Sequence, residues 1–156
     1  MKKTEDTVVI ALLRENSRRS LTEMSRLTKI PVSTLYERLK EYNKGLIRKH
    51  TSLIDFAQLG FAARARVLLK VKKPELARLK EHLLSSPYVN DLYKVNNGYD
   101  FMAEFVFRTM QEMEEHLDML AEKYAVEKEE VFYIVDELRR EEFLSKAKVL
   151  TMGETQ

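Results

Sequence analysis

The chain has no cysteine and no tryptophan, and only three histidines, four glycines and three prolines among its 156 residues. Without thiols there is no disulfide framework, zinc ribbon, iron–sulfur site or thiolate nucleophile. The length falls short of the roughly 200 residues that a barrel enzyme or a two-domain dinucleotide-binding enzyme needs. No apolar run approaches the ~18–20 residues of a membrane span. The start, MKKTEDTVVIALLREN, has neither the apolar core nor the cleavage site of a signal peptide. A cytoplasmic protein without membrane contact is the expectation. The histidines, at positions 50, 82 and 116, lie far apart without ligand spacing, and His82 and His116 fall on predicted helices at solvated or edge positions. There is no nucleophile elbow, no phosphate-cradling glycine loop and no paired-histidine metal motif. Acid pairs such as Glu114-Glu115 sit on the outside of a predicted helix. No catalytic residue, metal or cofactor is therefore expected. What the chain does have is 44% hydrophobic and 33% charged residues, enough apolar material for a packed core.

Charge is divided unevenly. Residues 1–50 carry 12 basic and 6 acidic side chains, a net of +6, and the remainder carries 15 and 19, a net of −4. A basic module that meets a polyanion, joined to a second module, would produce this split. A solvated surface with uneven charge would produce it too.

The first fifty residues read as three helices. Thr4 is placed to cap the first, with Asp6 in its first turn and Val9, Ile10 and Leu13 on one face. Asn16-Ser17 ends it. Ser20-Leu21-Thr22-Glu23 has the pattern of a capping box, with Glu23 reaching back to the Ser20 amide. Leu21, Met24 and Leu27 follow, and the helix ends near Thr28-Lys29. After Ile30-Pro31-Val32, Ser33 is a candidate cap for a third helix whose inward face is Leu35, Leu39 and Tyr42. Asn43-Lys44-Gly45 closes it. Two short helices across a tight turn, braced by a first, form a helix-turn-helix, whose third helix fits a DNA major groove. Its outward residues are Ser33, Thr34, Glu37, Arg38 and Lys40, with Tyr36 at the boundary. Arg38 suits guanine edges or a phosphate, Ser33 and Thr34 suit phosphate or bases, and Glu37 can accept from a cytosine amine. Ser20 and Thr22 at the start of the second helix, with Arg18, Arg19, Arg26 and Lys29 around the turn, are candidate phosphate contacts.

These residues resemble a known family. Asp6, Val9-Ile10, Leu13, Asn16-x-Arg18, Ser20-Leu21-x-Glu23-Met24, Ser33-Thr34-Leu35-(x2)-Arg38-Leu39 and Gly45-Leu46-Ile47 together are similar to the pattern of the Lrp/AsnC (feast/famine) transcription regulators. Met24-Ser25 and Tyr42-Asn43-Lys44 depart mildly from it, and neither change touches the exposed face. The resemblance implies a transcription regulator with a winged-helix-like reading domain and a ferredoxin-like carboxy-terminal module that dimerises by its sheet.

The second half alternates strands and helices. His50–Asp55 reads as a connecting strand, and 51–61 as the hinge between a DNA-binding domain, 1–50, and a second domain, 62–156. From Ala63 to Val71 the odd positions are apolar and most even ones are charged, the period of a half-buried strand. A helix follows Pro74, with Leu76, Leu79 and Leu83 in one stripe. Tyr88–Val95 and Phe101–Phe107 read as strands flanking an Asn96-Asn97-Gly98 turn. Met110, Met113, Leu117 and Leu120 mark a helix, and Val131–Val135 a last strand. The class is α+β and the order βαββαβ, a four-stranded antiparallel sheet covered on one face. The other face is expected to carry Leu68, Leu92, Met102, Val106, Phe132 and Ile134, while Tyr93, Phe101, Phe105 and Phe107 share the parity of the core. A half-apolar open face calls for a homodimer, or a tetramer or octamer built from it, with double-stranded DNA as the other partner. After Val135 the chain reads as a charged helix or a frayed segment, with Lys146–Leu150 as a candidate closing strand.

The resemblance further implies an amino-acid effector near Gly98, Tyr99 and Asp100. Glycine lets a ligand approach the backbone closely, and Asp100 can take an ammonium. Hairpin chemistry accounts for Asn-Gly equally well, with Asp100 capping the turn. Two functions compete on the residues themselves. One is a sequence-specific regulator that binds pseudo-palindromic operators. The other is an architectural protein that compacts DNA with little sequence choice, since phosphate contacts dominate affinity either way.

Overall fold

The computed structural model describes residues 3–146, which divide into two compact units. Residues 3–52 form one, together with residues 138–146, and Leu53–Glu137 form the other. The expected assignment of everything beyond residue 62 to the sheet domain thus differs at the tail.

In the first unit, α1 (Lys3–Glu15), α2 (Leu21–Thr28) and α3 (Val32–Tyr42) enclose a small core of Val9, Leu12, Met24, Leu35 and Tyr42, with Leu13, Leu21, Ile30, Leu39 and Ile47 packed around it. Ser20 caps α2 as the sequence suggests, its hydroxyl oxygen accepting from the Glu23 amide at 3.2 Å. The Glu23 carboxylate lies against Arg19. Lys29 takes a left-handed φ of 61° and returns its N–H to the Ser25 carbonyl, so the helix stops within one residue. Two expected caps are not caps. Thr4 lies inside α1, and α3 begins one residue before Ser33, with Pro31 at the cap position. Proline fixes φ and lacks an N–H, which suits the entry to a helix.

No strand forms at His50–Asp55, and no hairpin wing follows α3 among the described residues. A lone extended segment has no ladder to complete, so it stays irregular up to a 3-10 turn at Phe56–Leu59, capped by Asp55.

The second unit is the expected βαββαβ: β1 (Ala63–Val71), α4 (Leu76–Ser85), β2 (Val89–Lys94), β3 (Phe101–Phe107), α5 (Met110–Lys123) and β4 (Val126–Tyr133). The sheet order is β2-β3-β1-β4, all antiparallel. Alternate residues of β1 and β3 pack with Leu79, Leu83, Met113, Leu117 and Leu120 into one core. β4 starts five residues before the expected strand and ends two before its expected end. Glu127–Glu130 hides it from a hydrophobicity pattern, yet pairing to β1 from Ala65 to Val71 defines it. A bulge between Val89 and Asp91 shifts the β2 register, so Leu92 faces the core and Tyr93 pairs with Met102 on the open face. This reverses the expected sides of these two residues. Leu68, Met102, Val106 and Phe132 lie on the open face as expected.

His82 and His116 also depart from expectation. They stack at 6.2 Å inside an aromatic cluster with Tyr88, Phe105, Phe107 and Tyr124. Burial lowers both pKa values, and Lys123 beside His82 and His82 beside His116 lower them further. Residues 137–146 form no helix. Arg14 holds this segment by donating to the carbonyls of Phe143, at 2.5 Å, and Glu141, at 2.9 Å. Of the candidate strand Lys146–Leu150, residues 147–150 lie outside the described residues.

Candidate nucleic-acid interface

Leu35, Leu39 and Tyr42 turn one side of α3 into the core, which leaves Ser33, Thr34, Tyr36, Glu37 and Lys40 on the exposed side. Arg18, Thr22, Arg26 and Lys29 are exposed around the start of α2 and the turn before α3. Ser20 is exposed as well, and its role as hydrogen-bond acceptor to Glu23 leaves its O–H to donate. These groups are of the kind that a phosphate backbone and base edges meet: cations and hydroxyls at the turn, short polar side chains on the helix.

Two of the expected arginines are turned inward. Arg38 reaches back to α1, where one guanidinium nitrogen donates to Glu5 at 2.6 Å and another lies 3.5 Å from Asp6. Its side chain is only 22% exposed. The Glu5 bond outweighs desolvation and raises its pKa, fixing it as a cation. Asp6 is buried and also accepts from the Tyr42 hydroxyl. Burial and this bond to a carboxylate push the Tyr42 phenol well above its ordinary value. The Arg38–Glu5–Asp6–Tyr42 cluster therefore ties α3 to α1, and Arg38 acts as a brace where the sequence pattern offers it as a base reader. Neither Glu5 nor Asp6 is visible from sequence as its partner, because 33 and 32 residues separate them from Arg38. Arg19 is 13% exposed and lies between Glu15 at 3.3 Å and Glu23 at 3.4 Å, so it links α1 to α2 and is not a free phosphate anchor.

The β2–β3 turn has the backbone that Asn-Gly chemistry requires, with Asn97 at φ 63° and Gly98 at φ 89°. Gly98 is open, with nothing near an added Cβ. Asp100 is engaged within the sheet: one oxygen accepts from the Val71 amide at 3.0 Å and the other from Lys70 at 3.2 Å. Tyr99 donates to Glu130 and lies under the Lys128 ammonium at 4.4 Å. As folded, Asp100 is a bracket for the sheet end and not a vacant carboxylate. At the other end of the hairpin a groove of about 660 Å³ is lined by Phe56, Leu59, Phe61, Tyr88 and Val106, with Arg108 over Phe61 at 4.7 Å. Its residues come from segments with no shared sequence signal.

No protein-family model matches the chain. The HTH-type transcriptional regulator FL11 of Pyrococcus horikoshii is 28% identical over 123 residues, spanning 78% of this chain and 82% of that protein. Among solved structures, LrpC of B. subtilis superimposes with a TM-score of 0.78 at 20% identity, covering 86% of this chain and 95% of LrpC. A transcriptional regulator of Neisseria meningitidis, solved as its complex with L-Met, gives a TM-score of 0.79 at 17% identity, covering 90% of this chain and 93% of that one. No helix among the described residues is long and apolar enough to cross a membrane. Exposed helix face, shared fold and kinship in sequence agree: the chain is a DNA-binding transcription regulator, similar in fold to the solved Lrp/AsnC regulators.

Proposed function

We propose that the protein binds specific pseudo-palindromic operators as a homodimer, reading bases with the exposed face of α3. The observation that carries this is the set Ser33, Thr34, Tyr36, Glu37 and Lys40 on one accessible face, with Arg18, Ser20, Thr22, Arg26 and Lys29 beside it. The second copy docks through the open sheet face, where Phe132 and Tyr93 are exposed beside the partly buried Leu68, Met102 and Val106. A twofold assembly sets two reading helices about one DNA turn, ~34 Å, apart. Competition between selected and random DNA at fixed salt tests the reading. Preference for selected duplexes by tenfold or more supports it, and equal affinity indicates architectural compaction instead.

An amino acid modulates this binding at the Gly98–Asp100 turn. The open backbone at Gly98 supports a carboxylate there, and the ligand's ammonium takes the place of Lys70 at Asp100. The Neisseria neighbour's L-Met complex supports an amino acid as the ligand class. An amino-acid panel added to the DNA-binding assay checks this. A ligand whose effect survives Asp100→Asn binds elsewhere.

A further inference from the structure

The exposed row that flanks the polar face of α3 is apolar. Val32 is 43% exposed and Tyr36 57%. They stand four residues apart and so stack one above the other along the helix. The inward side of α3 is already filled by Leu35, Leu39 and Tyr42, so these two side chains serve no packing need within their own unit. The helix has a single arginine, and that arginine is held by Glu5. Its reading face therefore has no arginine for the guanine edge, and Lys40 is the one cation on α3 left to pair there. It offers instead a carboxylate at Glu37, hydroxyls at Ser33 and Thr34, one ammonium at Lys40, and the wall of Val32 and Tyr36. The group in the major groove that an apolar wall distinguishes is the 5-methyl of thymine.

We propose that Val32 and Tyr36 read thymine 5-methyl groups, so that each half-site places thymines opposite the first turns of α3. This rests on α3 being the reading helix. The test uses a duplex enriched by selection with the full-length protein, and the same duplex synthesised with uracil for thymine. That exchange removes the methyls and keeps every hydrogen-bonding edge. The wild-type protein binds the uracil duplex more weakly, by roughly fourfold for each methyl buried. Val32→Ala and Tyr36→Ala, both at exposed positions, shrink that difference while circular dichroism and melting stay as in the wild type. Equal wild-type affinity for the two duplexes overturns the proposal, and so does a thymine preference that survives both substitutions. If selection enriches no sequence at all, operator reading itself is lost, and thymine reading with it.

Discussion

The guanidinium of Arg38 lies 2.6 Å from the carboxylate of Glu5, across from a helix face that is otherwise open to solvent. This one pair separates two roles that the sequence pattern merges. Ser33, Thr34, Tyr36, Glu37 and Lys40 are exposed, while Arg38 is held against α1 by Glu5 and Asp6.

Arg38→Ala is therefore expected to act on stability before specificity. It leaves buried Asp6 with Tyr42 and without its cationic neighbour, at a cost of about 1–3 kcal/mol to the helical unit. Urea unfolding and selection of bound DNA check this together. The unfolding midpoint should fall while the enriched sequence stays the same. An unchanged midpoint with an altered sequence would restore Arg38 as a reader.

Tyr42 gives the same cluster an alkaline signature. Its phenol titrates higher in the folded chain than in the unfolded one, because burial and the Asp6 bond both favour the neutral form. The stabilisation is fully present below the unfolded value of about 10 and is lost as pH rises above it. Stability of the helical unit should fall in that range, and Tyr42→Phe should flatten the fall while costing about 1 kcal/mol at neutral pH. A Phe variant with the wild-type pH profile would contradict this.

The histidine pair predicts the opposite response in the sheet unit. Burial lowers the pKa of both His82 and His116, so the unfolded chain takes up protons first as pH falls. Stability conferred by the neutral pair is present above about pH 6.5 and declines below it. Comparing urea midpoints at about pH 7.5 and about pH 5 measures the decline. His116→Phe, which keeps a ring in the cluster, should reduce it. Equal midpoints in the wild type would show that the pair does not titrate in this window.

DNA affinity should depend steeply on salt. If a dimer makes ~6–10 phosphate contacts, raising salt from ~50 to ~200 mM costs a factor of about 10³–10⁵. Fluorescence anisotropy with a short duplex gives the slope. Arg26→Ala or Lys29→Ala should lower the slope by roughly one for each contact removed, and a flat response would exclude phosphate neutralisation as the source of affinity.

Legibility in the sequence followed the range of the interaction. β1 was plain because one strand with one buried face carries its own period of two, from Ala63 to Val71. The α2 cap was plain because Ser20 and Glu23 are neighbours. β4 was partly hidden, since Glu127, Lys128, Glu129 and Glu130 are strand residues by virtue of pairing to β1 and not by hydrophobicity. The bulge near Asn90 moved Tyr93 to the open face, and no local pattern announces a register shift. The same limit applies at the site. The exposed side of α3 follows from helical period alone, whereas the withdrawal of Arg38 depends on a carboxylate contributed by α1. Asp100 could be read either as a ligand group or as turn chemistry, and only the position of β1 beside it, with the Val71 amide at 3.0 Å, shows the second use.

The most direct measurement pairs two substitutions on α3 in a selection from random duplexes at one salt concentration. Glu37→Gln should change the enriched base at one position of each half-site, because Glu37 is exposed on the face of α3 proposed to enter the groove, and Arg38→Ala should leave the enriched sequence as it is. A sequence that changes with Arg38→Ala and stays constant with Glu37→Gln would contradict the division of labour on which the account rests.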